Sequence, residues 1–341
     1  MKKGYNLEFW NLVCHFGNHK LLDKYIDFVH PAFTKGHTRT RAETKYMFYG
    51  VTIINLEFEG EMLPFIFGRH VKDTIFEREQ VMEGDELVEK PLLVPNAPSS
   101  IFILSLRDHR LFHIKEHTDS PSADSFKATL EYFIKIERNN LIDSIYKAEQ
   151  EIRKERGGNY KVTKKKNLQL SYTEPYITLV PLSSDASITE FIKGMKLIKK
   201  FTLKLITPND EADMNPFFKQ WRNVKGQLNQ PNSKIEFTPS GTKKTLPHED
   251  VANLSREAVK DGNIVLNLNG TDMKDDKLNG TEEDFKLTKN IDEITDSPIM
   301  LVKSVYDSFM NLVKDGIITA PRITDLKEIK RKLKYIMDMI K

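Results

Sequence analysis

Residues 100–117 read Ser100-Ile101-Phe102-Ile103-Leu104-Ser105-Leu106, Arg107-Asp108-His109-Arg110, Leu111-Phe112-His113-Ile114-Lys115-Glu116-His117. The first arm is almost continuously apolar, as a strand buried on both faces requires, while the second alternates as a strand with one wet face does. With a four-residue polar turn between them, the stretch predicts a hairpin of one central and one more peripheral strand. Immediately after it, Ser120-Pro121 has the form of an N-cap followed by proline at the first helical position, and Asp124 suits the first turn of a helix. From there Phe126, Leu130, Phe133, Ile134, Leu141, Ile145, Ala148 and Ile152 recur at helical spacing until Gly157-Gly158. A continuous helix over 122–156 would be about 52 Å long, with a kink or break expected across 137–140, where the apolar stripe lapses.

Upstream of the hairpin, residues 6–16 are strand-like and residues 20–33 helical up to Pro31. Residues 34–45 form a polar loop holding Lys35, His37, Arg39, Arg41 and Lys45 against Glu43 alone. Two apolar arms, 46–58 and 62–67, flank Glu59-Gly60-Glu61 as a turn, and the charged segment 68–74 interrupts this sheet-like region. Downstream, residues 147–166 form a basic connector of eight Lys or Arg against three Glu, ending in Lys164-Lys165-Lys166. Strands are then expected at 168–172, 176–182 and 201–206 with a helix at 188–199, a strand-helix-strand unit with a right-handed crossover if its strands are parallel. Helices are expected at 215–228, 249–260, 296–314 and 325–341, with a proline-punctuated stretch at 233–237. The Leu-Asn-Gly-Thr copies at 268 and 278 mark a hairpin or meander.

The resulting expectation is an α+β protein with a strand-rich N-terminal half, a long central helix and a mixed α/β C-terminal half. Its divisions are 1–120, a helix and connector over 121–166, and 167–341, since 341 residues exceed the usual size of one core. The 10% aromatic content favours a folded chain over disorder. The single cysteine, Cys14, excludes an intramolecular disulfide and points to a reducing cytoplasm. No apolar run reaches membrane-spanning length, so no membrane association is expected.

Catalytic signatures are weak. There is no phosphate-binding Gly-Lys-Ser/Thr loop, no Gly-X-Gly-X-X-Gly, no Cys-X-X-Cys and no Gly-X-Ser-X-Gly. His109, His113 and His117, with Asp108 and Glu116, imitate metal ligands, but four residues along a strand separate neighbours by about 13 Å, too far for one zinc ion. Glu57, Glu59 and Glu61 share one parity and sit where a solvated turn is expected. Asp272, Asp275 and Asp276 lack the ligand pattern of a calcium loop. Cys14 beside His15 and near His19 reads better as a buried thiol than as a nucleophile. No cofactor and no metal site is expected.

The basic segments 35–45, 147–166, 193–204 and 327–341 are the stronger signal, because converging cations bind phosphates through counterion release. Phe33, Tyr46, Phe48 and Tyr49 flank the first and could stack on bases. The candidate nucleic-acid contacts are therefore Lys35, Arg39, Arg41, Arg69, Lys72, Lys164, Lys165 and Lys166, serving nucleic acid or an acidic protein surface. The enzyme alternative is a metal-dependent nuclease using Glu57, Glu59 or Asp73. A third is a structural or oligomerising role, with the helix 122–156 packing on a copy of itself through Leu141 and Ile145.

Three blocks carry a resemblance: Gly68-Arg69-His70-Val71-Lys72-Asp73-Thr74; Ala97-Pro98-Ser99-Ser100 leading into 101–106; and Pro121-Ser122 opening the helix at Phe126. Over the first 150 residues the chain resembles uncharacterised bacterial proteins encoded in anti-phage defence loci. That resemblance carries no catalytic residue across. It implies a bacterial cytosolic protein working with DNA or RNA or with another defence protein; a homo-oligomer stays open through the helix 122–156.

Overall fold

The computed structural model describes residues 4–156, 160–209, 215–228, 233–241, 244–260 and 262–340. Gly157, Gly158 and Lys341, which figure in the sequence expectations, lie outside them. In chain order the elements are β1 (Tyr5–Phe16), β2 (His19–Lys20), a 3-10 turn (Leu21–Lys24), a π turn (Tyr25–Val29), α1 (His30–Thr34), β3 (Thr38–Arg41), β4 (Thr44–Phe58), β5 (Glu61–Glu83), β6 (Glu86–Asn96), β7 (Ser99–Ser105), β8 (Arg110–Lys115) and α2 (Ala123–Glu155). There follow α3 (Lys165–Ser171), β9 (Tyr176–Pro181), α4 (Asp185–Gly194), β10 (Met195–Leu205), α5 (Pro216–Gln227), β11 (Ser233–Phe237), α6 (His248–Lys260), β12 (Ile264–Asp272), β13 (Lys277–Gly280), α7 (Glu282–Phe285), β14 (Thr288–Ile291), α8 (Pro298–Lys314) and α9 (Leu326–Met339). This is the α+β arrangement the hydropathy pattern predicts: a strand-rich N-terminal half, a long central helix and a mixed α/β remainder.

A large antiparallel sheet runs β14-β1-β8-β7-β5-β4-β3, with β2 and β9 also on β1, and β6 on β5. Period-two alternation sends its side chains to two cores. Trp10, Phe102, Leu104 and Leu111 pack under Phe126, Leu130, Phe133 and Ile134 of α2, with Ile329, Leu333 and Ile336 of α9 in the same cluster. On the opposite face Phe9, Phe65 and Phe112 meet Val302, Val305, Tyr306 and Phe309 of α8. A second sheet, β11-β10-β12-β13, packs with α4, α5 and α6. Buried asparagines join the two sheets: Asn11 donates to Gly262 O at 2.9 Å, and Asn209 donates to Leu12 O at 2.9 Å while accepting from the Cys14 N–H at 3.1 Å.

Several expectations are corrected. The arm 111–117 has no wet face through Ile114, because Leu111 packs into the core under α2 while Phe112 and Ile114 pack into the core under α8; β1 along its outer edge makes β8 an interior strand. The charged segment 68–74 does not interrupt the sheet; it continues β5 between β4 and β7. A Cβ on Gly68 would come within 2.7 Å of the Phe102 ring, so only glycine fits there. The polar loop 34–45 contains β3, residues 233–237 are a strand, and 168–171 belongs to helix α3. The helix expected over 188–199 ends at Gly194, and β9 and β10 lie in different sheets, so no crossover unit exists. Ser122, not Ser120, caps α2 by accepting the Ser125 N–H at 3.2 Å; the Ser120 hydroxyl instead donates to Ser99 O at 2.5 Å. The helix is unbroken across 137–140 because its buried charges there are satisfied. Glu137 takes Lys35 and His37 at 2.6 Å each, and Arg138 donates to the carbonyls of Tyr172 and Gln169 at 2.5 and 3.0 Å.

Candidate nucleic-acid interface

β3 is the terminal strand of the large sheet, and its sequence Thr-Arg-Thr-Arg puts both arginines on one face. Register then fixes their neighbours: Arg39 lies opposite Tyr46, which lies opposite Lys72, and Arg41 lies opposite Thr44. Arg39, Arg41 and Lys72 therefore share the face covered by α2. The Arg39 guanidinium stacks 4.6 Å from the centre of the Tyr46 ring. Burial holds the Arg39 pKa below its ordinary value, Tyr46 works against this, and the charge of Arg41 lowers it further. Its Nε is buried without a hydrogen-bond partner. An anion placed between the two arginines would offset both penalties.

The other predicted contacts divide. Lys35 is spent on Glu137. Arg69 lies on the opposite sheet face, its Nε shared between both Glu116 oxygens at 3.2 Å, and Glu116 is held in place by the Ser99 hydroxyl at 2.5 Å. Lys165 pairs with Asp143 of α2 at 2.5 Å. Lys164 and Lys166 are exposed at the start of α3, and among the described residues neither they nor Arg41 nor Lys72 forms an ion pair. Lysines there oppose the helix dipole, so the stability of α3 does not account for them. α2 bridges the two groups: Tyr132 lies close enough to act on Arg39, and Asp143 holds Lys165. Eleven helical residues separate these points, about 16 Å along the axis.

Of the carboxylates of the nuclease alternative, Asp73 is not brought to Glu57 and Glu59. Glu57 pairs in register with Met62 near the β4–β5 turn, whereas Asp73 lies opposite Lys45 at the far end of the same ladder. Glu61 is held by Lys330 at 2.5 Å and by Arg107 at 3.8 Å. His109 sits in the β7–β8 turn with φ of 53°, and His113 points into the core. Among the described residues no group of three His, Cys, Asp or Glu is placed to hold a metal ion. Cys14 is fully buried, and burial pushes its thiol up, away from the reactive thiolate.

One polar constellation is invisible in sequence. Glu8 accepts from His113 at 3.2 Å and from Lys286 at 2.9 Å; burial alone would raise its pKa, yet these partners bring it down to about 2. Two strands away His70 is wholly buried and bonds Thr129 of α2 at 3.1 Å. The Thr129 hydroxyl donates to Ser125 O, so His70 Nε2 is the donor to Thr129. Burial chiefly, and then His113 and Arg39, lower its pKa to about 3. These groups are inaccessible and order the core. Finding them required the β1–β8 register, which brings residue 8 beside residue 113.

Among the described residues no helix is long and apolar enough to cross a membrane. The chain matches no protein-family model and no curated protein.

Proposed function

We propose that the protein engages nucleic acid without cleaving it, as a component of a bacterial defence system. The observation that supports this reading best is the row Arg39, Arg41 and Lys72 on one face of an open sheet edge, flanked by Tyr46 and Tyr132 and without an acidic partner for Arg41 or Lys72. Lys164 and Lys166 extend it along α2. About 16 Å is the rise of roughly five phosphates along one duplex strand, so one backbone can touch both groups. The exposed Tyr132 ring offers stacking to an unpaired base, while Tyr46 supports Arg39. Lys35, Arg69 and Lys165 contribute by holding the scaffold, since each is neutralised within the fold. The defence setting rests on the resemblance of the first 150 residues.

The test is binding of the purified chain to double-stranded DNA, single-stranded DNA and RNA across a salt series with magnesium present, with the nucleic acid then run on a denaturing gel. Binding that falls steeply with salt, leaves the strands intact and weakens in Arg41→Glu/Lys72→Glu is expected. Cut product lost with chelator would replace this reading with a metal-dependent nuclease.

A further inference from the structure

β5 is longer than the sheet it belongs to. Its pairing with β7 ends at Val71 and with β4 at Asp73, and the Thr74 hydroxyl meets that of Thr44 at 3.0 Å. Beyond this point β5 pairs with β6 alone, through Glu83↔Glu86. The result is a two-stranded arm about 30 Å long. Ribbons of two strands are marginal in water, and this one does not bury its apolar residues. Phe76 faces Val94 across the ladder, and Met82 faces Leu87. Phe76 is 56% exposed and Leu93 is 63% exposed. Residues 75–96 also carry six acidic side chains against Arg78 and Lys90.

The same strand begins at a surface of the opposite kind. A cleft of about 510 Å³ lies between the start of β5 and α9, lined by Met62, Leu63, Pro64, Leu333 and Met337. Its charged groups are Arg107, Lys330 and Lys334 against Glu61. Met62, at the rim of the cleft, is 61% exposed. One chain thus displays an acidic apolar projection and a basic apolar recess, and the exposure of both shows that they do not cover each other within it.

We propose that the occupant of the cleft is the β5–β6 arm of a second copy of this chain, and that the cleft of that copy receives the first arm. Reciprocal exchange is self-complementary and closes as a two-fold dimer. Exposed apolar side chains enter the recess while Glu77, Glu79 and Glu89 meet Lys334, Lys330 being held by Glu61, a pairing that steers encounter and fixes register. The arm leaves the sheet just beyond Lys72, with Thr74 against Thr44 at its base, and its docking in the cleft does not depend on nucleic-acid binding.

The experiment is sedimentation of the full chain from dilute solution up to about 100 µM, with arm and cleft variants. The wild type is expected to approach twice the chain mass. Phe76→Ser/Leu93→Ser on the arm and Met62→Glu/Lys334→Glu in the cleft are each expected to raise the dissociation constant at least tenfold. All four positions are exposed, and unchanged circular dichroism confirms folding. An equimolar mixture of the two variants retains one intact arm–cleft contact, and is expected to form a heterodimer that neither variant forms alone. A wild type of single-chain mass throughout, a dimer indifferent to either variant, or a mixture without heterodimer would each overturn the proposal.

Discussion

The two ends of β5 invert what local hydropathy suggests. Residues 68–74 are mostly charged or polar, yet continue β5 in the sheet, paired with β7 as far as Val71 and with β4 as far as Asp73. Residues 75–96 hold Ile75, Phe76, Leu87, Leu92, Leu93 and Val94, yet project from it. Pairing partners decide location. The inner segment is flanked by strands on both edges, so Arg69 must find Glu116 and His70 must find Thr129 to be tolerated there. The outer segment has one neighbour and no covering helix, and its apolar residues stay in water until another surface arrives.

The sharpest way to break this comparison is truncation on either side of Thr74. Phe65→Ala removes a ring buried between β4 and β7 against Tyr306 and is expected to cost about 3–5 kcal/mol in denaturant unfolding. A cost below 1 kcal/mol would mean the sheet interior is not the main source of stability. Next comes acid. His70 has a folded pKa depressed to about 3, so between that value and its ordinary one near 6.5 the unfolded chain binds the extra proton. Stability from this group is therefore complete above pH 6.5 and declines as pH falls, by about 3 kcal/mol at pH 4.5. His70→Gln is expected to flatten that slope, measured by unfolding at stepped pH; an unchanged slope would remove His70 as its source. The smallest effect is expected on the arm, where Phe76→Ser in dilute protein should change stability by less than about 0.5 kcal/mol. A larger loss would show that the arm is covered within its own chain.

The hairpin 100–117 and the helix from 122 were legible because long apolar runs and capping signals act locally. β3 was hidden in a basic loop because four alternating Thr and Arg residues form a strand only when β4 lies beside them. The burial of β8 depends on α2 and α8, which cover its two faces, and the arm looked like ordinary apolar sequence with no sign that its partners stop at Asp73. The site followed the same rule. Arg39 and Arg41 were legible as cations, but their common face follows from the β3–β4 pairing. Nothing near Lys35 or Arg69 in sequence announces that Glu137, 102 residues away, and Glu116, 47 away, neutralise them.

The most direct measurement of the functional account is the slope of log binding constant against log salt for the wild type and for Arg41→Glu/Lys72→Glu. The account predicts a steep wild-type slope that becomes shallower by about two in the variant, close to one for each phosphate contact removed, with Lys35→Gln and Arg69→Gln leaving it unchanged. Identical slopes for wild type and the double variant, or no binding at the lowest salt, would contradict it.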